Sequence, residues 1–318
     1  MQYKNNRYPG HGIMFHHFHD NKMYPNSPGS LNKNQLRKII KFIGRENIIT
    51  PKDFIFRLQT NNLKNKICFT FDDALRCQYD IAQKVLDEFN IKAFYFIQTS
   101  IFDKKKDFSE IYRFFRNNFY KNVNKFYKDF KLIIFQTTRK NYEEFIYKNK
   151  DLIKQKKKLY PFYTTQDVEF RLLRDNFLNE KEYKKIMLEM FKIKKFNYKK
   201  IIKKIFLNKS QIKKLSDTGN IVGLHSHSHT FNFDNLSLRI QENDYKKNNR
   251  ILKSIINSKI NSACYPGGKL NRYSLKILKK LKIQCSFIDN FKKNKLYSKK
   301  NDYLLVPRED SSNIIKLI

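Results

Sequence analysis

The chain has 318 residues, 40% hydrophobic and 15% aromatic with no tryptophan, enough for one large α/β domain or two small ones. Lys+Arg is 66 against 29 Asp+Glu, a formal net charge of +37. Such an excess suits an anionic neighbour. It is mostly lysine beside abundant Asn and Ile, though, and no zinc-finger spacing, RNP-like aromatic motif or basic zipper accompanies it, so nucleic-acid binding is not expected.

From the start, "MQYKNNRYPGHG" has no apolar core of signal-peptide length, and no run of about 18 apolar residues follows anywhere. The expectation is a cytoplasmic protein whose positive charge leaves room for loose contact with an anionic membrane face. Short apolar segments then read as strands: "GIMFHHF", "ICFTF", "AFYFIQTS", "NIVGLHS", "INSACYP" and "IQCSFID". Helical patterns lie between them. "CQYDIAQKVLDEFN" places Ile81, Val85, Leu86 and Phe89 on one face, and "YSLKILKKLKI" does so with Leu275, Leu278 and Leu281. Strand followed by helix, repeated, argues for a parallel sheet with crossover helices. Closure of that sheet gives a TIM-like barrel with its chemistry at the C-terminal strand ends. From about 103 to 215 the chain is Lys-, Phe- and Tyr-rich and helical in period, as in "NEKEYKKIMLEMFKIKKF", where Tyr183, Ile186, Met187 and Met190 share a face. The expectation is one domain over 1–318, interrupted by this basic helical insertion.

Three clusters carry chemistry. The strand "ICFTF" ends in two adjacent carboxylates, Asp72 and Asp73. An isolated pair of this kind is usually a turn. "NIVGLHSHSHTF" packs three of the seven histidines into five residues, and His225 and His229, four apart, can share one metal. "SACYPGGKLN" ends a strand in Pro266, Gly267 and Gly268, where backbone N–H groups can approach a ligand. Each cluster follows a different predicted strand, so a parallel barrel brings them to one rim. Two His and one carboxylate make a divalent-metal site with open positions. The second carboxylate is then free to act as a general base, and a cation lets the two aspartates coexist. The four cysteines, Cys68, Cys77, Cys264 and Cys285, lack CxxC spacing and read as reduced thiols.

At these residues the chain resembles the polysaccharide deacetylases of carbohydrate esterase family 4, the NodB-homology domain. "TFDD" at Thr70 to Asp73 matches that family's first motif, and "HSHSH" at His225 to His229 its second. The resemblance implies an α/β fold, a distorted (β/α) barrel, and one divalent metal, most often zinc. It also implies hydrolysis of an N-acyl group on an amino sugar, and the lack of a signal-peptide core favours a surface-glycan precursor as the expected substrate. Asp72 would be the general base, and Asp73, His225 and His229 the metal ligands. Pro266 and Gly267 fall at the turn expected to face the substrate oxyanion. In two places the chain departs from the pattern. Cys264 stands near the position of the Arg that usually holds the catalytic Asp, and Arg308 in "LLVPRED" is the expected replacement. No His follows His229 to serve as general acid. That role is assigned to His16, whose "FH" matches an early "YH" position in divergent members. His17 and His19 are weaker choices, because alternation turns His16 and His17 to opposite faces. Two other readings stand beside this one: a deformylase or other amide hydrolase with the same site, and a non-catalytic glycan-binding homologue that lost the acid.

Overall fold

The computed structural model describes residues 10–103, 108–159, 163–230, 232–289 and 302–318. Seven parallel strands form its centre: β1 His11–Phe15, β2 Ile67–Phe71, β3 Phe94–Ile97, β4 Ile221–Leu224, β5 Ser262–Cys264, β6 Cys285–Phe287 and β7 Arg308–Asp310. They are ordered β6-β5-β4-β3-β2-β1-β7. A parallel bridge from Phe287 to Val306, just ahead of β7, nearly closes the sheet into a barrel. The expected distorted (β/α) barrel is therefore the observed fold. All six predicted strands are present. β1 to β3 are buried along their whole length, as their continuous apolar runs require of parallel strands covered on both faces.

Two compact units are present, one of residues 1–107 and 205–318 and the other of residues 108–204. The first holds the barrel. With no tryptophan available, phenylalanine fills its core. Phe54, Phe94, Phe96 and Phe287 pack with Cys68, Cys264 and Cys285 in one cluster. Phe71 stacks on Tyr95 with centroids 4.8 Å apart. Each such ring is worth about 1.5–3 kcal/mol relative to exposure. All four cysteines are free and buried. Asparagine starts several helices: Asn32, Asn208 and Asn271 each close a capping box.

Two sequence expectations shift in detail. The segment after Asp73 is helical, but it opens with a wider turn, Gln78–Ala82, before the helix Gln83–Glu88, and Phe89 is only half-buried. The helix Arg272–Lys280 buries Ser274, Ile277 and Leu278, leaving Leu275 and Leu281 half-buried. Its inner face is turned from the leucine row toward Ser274, whose hydroxyl donates to Gln241 at 2.7 Å.

The second unit is helical. Its helices include Ser109–Phe114, Val123–Thr138, Thr165–Leu172 and Glu180–Ile193. Ile186, Met187 and Met190 face inward as their spacing predicts, joined by Phe191 rather than by half-buried Tyr183.

Candidate active site

Strand register assembles the rim. Phe15 pairs with Phe71, so the next residues, His16 and Asp72, leave the barrel side by side. Leu224 pairs with Ala263, which sets His225 beside Cys264. The His225 ring uses Nδ1 for the Cys264 carbonyl at 3.1 Å, leaving Nε2 directed at Asp73. Asp73 Oδ1 lies 3.2 Å from His225 Nε2 and 3.1 Å from His229 Nε2. Asp73, His225 and His229 thus present three ligand atoms within 4.8 Å of one another.

The backbone is bent to achieve this. Asp73 and Ala74 both have positive φ, 72° and 57°, as do Ser226 at 58° and His229 at 52°. Left-handed non-glycine residues cost on the order of 1 kcal/mol or more each and persist only where surroundings fix them. Here they are fixed. The Leu207 N–H holds the Ala74 carbonyl at 2.9 Å, and the His229 N–H is bonded to Ser226 Oγ at 3.0 Å. Gln78 Nε2 donates to the carbonyls of both Asp72, at 2.6 Å, and His16, at 2.9 Å.

Asp72 faces an arginine. Arg308 Nη1 and Nη2 each donate to an Asp72 oxygen at 2.8 Å, and the pair is almost wholly buried. Arg308 enters from β7, opposite Gly12 of β1. A Cβ on Gly12 would stand 3.0 Å from Arg308 Cγ, so the glycine gives the arginine its place. The remaining donors of the fork reach Thr70 Oγ1 at 3.2 Å, the Ile288 carbonyl at 3.3 Å and Asp289 at 3.0 Å. Burial by itself would raise the Asp72 carboxyl, but Arg308 and then His225 outweigh it and hold it below the usual range. Burial likewise opposes Asp73, and His229 foremost holds it well below that range. Cys264, at the position expected to have lost an arginine, sets its thiol 3.6 Å from Asp72 Oδ2, and burial pushes that thiol up, so it stays neutral.

His16 Nε2 is 3.9 Å from Asp72 and 3.8 Å from Asp73, with a third of its side chain exposed. Burial lowers its basicity, yet Asp73 and Asp72 more than offset this and raise it. Strand alternation does not separate His16 from His17. β1 ends at Phe15, and beyond it the His16 and His17 rings lie nearly parallel, 6.2 Å apart. His19 is turned away, bonded to Ser30 at 2.9 Å. His227 also leaves the cluster: its ring sits between Thr99 at 2.9 Å and Asp103 at 3.0 Å. Pro266 to Gly268 form a turn after β5, with Gly267 and Gly268 at φ 54° and 64°. The Gly268 N–H is bonded to the Tyr265 carbonyl. A Cβ there would collide with Asp289 Oδ2, so glycine admits that carboxylate.

Several positioning residues were not visible in the sequence. Asn248 and Asp244, on the helix Leu238–Ile256, hold the histidine loop. Asn248 accepts from the His225 N–H at 3.1 Å and donates to Ile97 and Thr99. Asp244 accepts from the N–H groups of His227 and Ser228. Their spacing of four is a helical-face signal, but only the fold shows which loop they meet. Asp289 follows Ile288 at the end of "IQCSFID", a segment that reads in sequence only as a strand.

Two carboxylates and two imidazoles gather beyond the C-terminal strand ends of a parallel barrel, and that barrel is a fold shared with solved deacetylase structures. The polysaccharide deacetylase family model matches residues 177–286, which include the histidine cluster and the Pro-Gly-Gly turn. Among solved structures, the chain is similar to a Streptococcus pyogenes deacetylase, PplD, in complex with acetate, at 14% identity and TM-score 0.55, covering 98% of each chain. It is similar to IcaB from Ammonifex degensii at 14% identity and TM-score 0.54, covering 98% of this chain and 97% of that one. It is also similar to a de-N-acetylase from Aggregatibacter actinomycetemcomitans, at 12% identity and TM-score 0.52, over 97% and 99% of the two chains. No curated protein matches it. The chain thus has the NodB-type barrel of these deacetylase structures, and the family's model matches its residues 177–286.

Proposed function

We propose that the protein is a metal-dependent hydrolase that removes an N-acetyl group from an amino sugar in a surface-glycan precursor. The observation that carries this reading is the placement of the Asp72–Arg308 pair directly beside the Asp73, His225 and His229 donor set. The donor set fits a divalent cation, zinc being our choice. It has one carboxylate oxygen and two imidazole nitrogens, and the second nitrogen of His225 is engaged by a carbonyl as metal-ligating imidazoles usually are. Such an ion supplies a lowered water pKa and polarisation of the acyl carbonyl.

This chain's own residues do the rest. Asp72, kept ionised by Arg308, accepts a proton from the attacking water. Arg308 fixes both carboxylate oxygens, so the proton-accepting lone pair has one direction. His16, close to both aspartates, delivers a proton to the departing nitrogen, without which an amide nitrogen is a very poor leaving group. A backbone N–H at Gly267, beside Pro266, faces the developing oxyanion. The products are acetate and a free amine on the sugar. PplD, similar in fold, was solved in complex with acetate, which supports the choice of acyl group.

The test is release of acetate from a panel of N-acetylated sugars and glycan fragments, with metal-stripped and metal-restored protein. Metal-dependent acetate release supports the reading. Formate release from N-formyl sugars alone would make it a deformylase. The absence of any His after His229 favours a second, non-catalytic reading, in which glycans bind and no acyl group is released.

A further inference from the structure

Within residues 108–204, two helices widen at their C-terminal ends into π-helical turns. Ser109–Phe114 runs into Phe115–Phe119, and Thr165–Leu172 runs into Leu173–Phe177. Such turns recur at functional positions. Each carries an arginine, Arg116 and Arg174, with a second arginine one turn earlier, Arg113 and Arg171. Two of these groups meet one ring. The Arg116 guanidinium carbon is 5.0 Å from the Phe170 centroid and that of Arg174 is 5.9 Å from it. Arg171 lies 4.1 Å over Tyr163.

Acidic partners are scarce. Arg174 is paired with Asp175 at 2.5 and 2.8 Å. Asp167 has both oxygens engaged, one by the Tyr127 hydroxyl and the other by Thr164. Neither Arg116 nor Arg171 has an ion pair among the described residues. Arg116 is only 6% exposed, and among the described residues its one hydrogen bond is from Nε to Asn117 Oδ1 at 3.1 Å. Its two terminal nitrogens have no partner among the described residues. Two buried atoms here have no partner among the described residues, Arg171 Nε and Asn117 Nδ2. The bond from Arg116 fixes which end of the Asn117 amide is the nitrogen. Every unfilled polar atom named here is a donor. Buried donors and buried charge are costly when left so. Burial foremost pushes the Arg116 guanidinium down, Tyr127 opposes this, and Arg113 and Arg174 add to it.

We propose that Arg116, Asn117, Arg171 and Arg174 form a binding site for a phosphoryl group. Its tetrahedral oxygens are acceptors only, they match guanidinium forks in pairs, and its near-double negative charge balances the two unpaired arginines. The ligand is a phosphate monoester on a sugar or free inorganic phosphate.

The test is calorimetric and thermal-shift titration of the full chain at constant ionic strength. The probes are inorganic phosphate, N-acetylglucosamine 1-phosphate and unphosphorylated N-acetylglucosamine. Saturable binding of the phosphorylated probes only is expected. Tighter binding of the sugar phosphate identifies the ester as ligand, and equal binding identifies phosphate alone. Arg116→Gln and Arg171→Gln should each weaken binding about tenfold or more. Lys192→Gln, which removes the same charge from a side chain 81% exposed, should leave it unchanged. Arg171, over a ring and partly exposed, supplies a variant that folds if Arg116→Gln does not. No phosphate binding beyond that of chloride, or equal loss in Lys192→Gln, would overturn the proposal.

Discussion

Arg308 and Asp72 stand 236 positions apart in the chain and meet in a buried two-armed ion pair, 2.8 Å on each arm. The arginine arrives from the last strand, the aspartate from the second. Beside Asp72 the neutral Cys264 thiol stands where an arginine was expected, so the cation has come from a different strand to the same carboxylate.

Replacing Arg308 by Lys keeps a charge and loses the planar fork. Deacetylation should fall about 10²-fold through misdirection of Asp72, with metal content unchanged. Arg308→Ala leaves a buried carboxylate unpaired and should cost about 3–5 kcal/mol of stability by denaturant titration. Near-normal turnover in Arg308→Lys would show that Asp72 does not depend on the fork.

Asp72 and Asp73 are neighbours with separable roles. Asp72→Asn keeps the shape and its reach to Arg308 but cannot accept a proton. Its rate should drop by about 10²–10⁴ while metal stays bound. His229→Ala should instead lose most bound metal, measured by elemental analysis, with the barrel still folded. His227→Ala should keep the metal, since that ring is turned to Thr99 and Asp103. Full occupancy in His229→Ala would remove His229 from the ligand set.

The six apolar strands were legible because parallel strands buried on both faces leave unbroken hydrophobic runs. β7 was not. It is "RED", three charged residues held as a strand by pairing with β1 and by Arg308 reaching Asp72, both long-range facts. The donor set could be read because its three residues sit in two short motifs. Asp244, Asn248 and Asp289 could not, since each acts on a partner that only the folded barrel brings to it. The leucine row of Arg272–Lys280 misled because buried Ser274 finds a polar partner in Gln241, and periodicity counts only apolar residues.

Acid should loosen the helix Leu238–Ile256, which holds the histidine loop. Glu242 on it bridges Lys280 at 2.8 Å and Lys246 at 2.9 Å, and the Lys280 bond foremost pulls its carboxyl from 4.5 down to about 2. A depressed carboxylate stabilises fully above its unfolded value. That contribution is lost as pH falls from about 4.5 toward about 2. Glu242→Gln should therefore melt lower than the parent at about pH 6, the gap narrowing as pH drops below 4.5 and shrinking in high salt. A gap independent of pH would assign the loss to packing.

His16 is the boldest assignment, and leaving-group chemistry tests it without relying on titration. Its Nε2 lies 3.8 Å from Asp73 and 3.9 Å from Asp72, near enough for a substrate seated over the donor set to meet it. If it protonates the departing nitrogen, its loss matters only where the leaving group needs a proton. An amide does; an activated aryl ester, leaving as a stable phenolate, does not. His16→Ala should slow N-acetyl sugar hydrolysis by about 10²–10⁴ and leave aryl acetate hydrolysis nearly unchanged, with metal retained. His17→Ala should do neither, although the two rings lie nearly parallel. Equal losses on amide and ester would mean that His16 shapes the site rather than delivering the proton. Loss on His17→Ala alone would move the acid one residue along the chain.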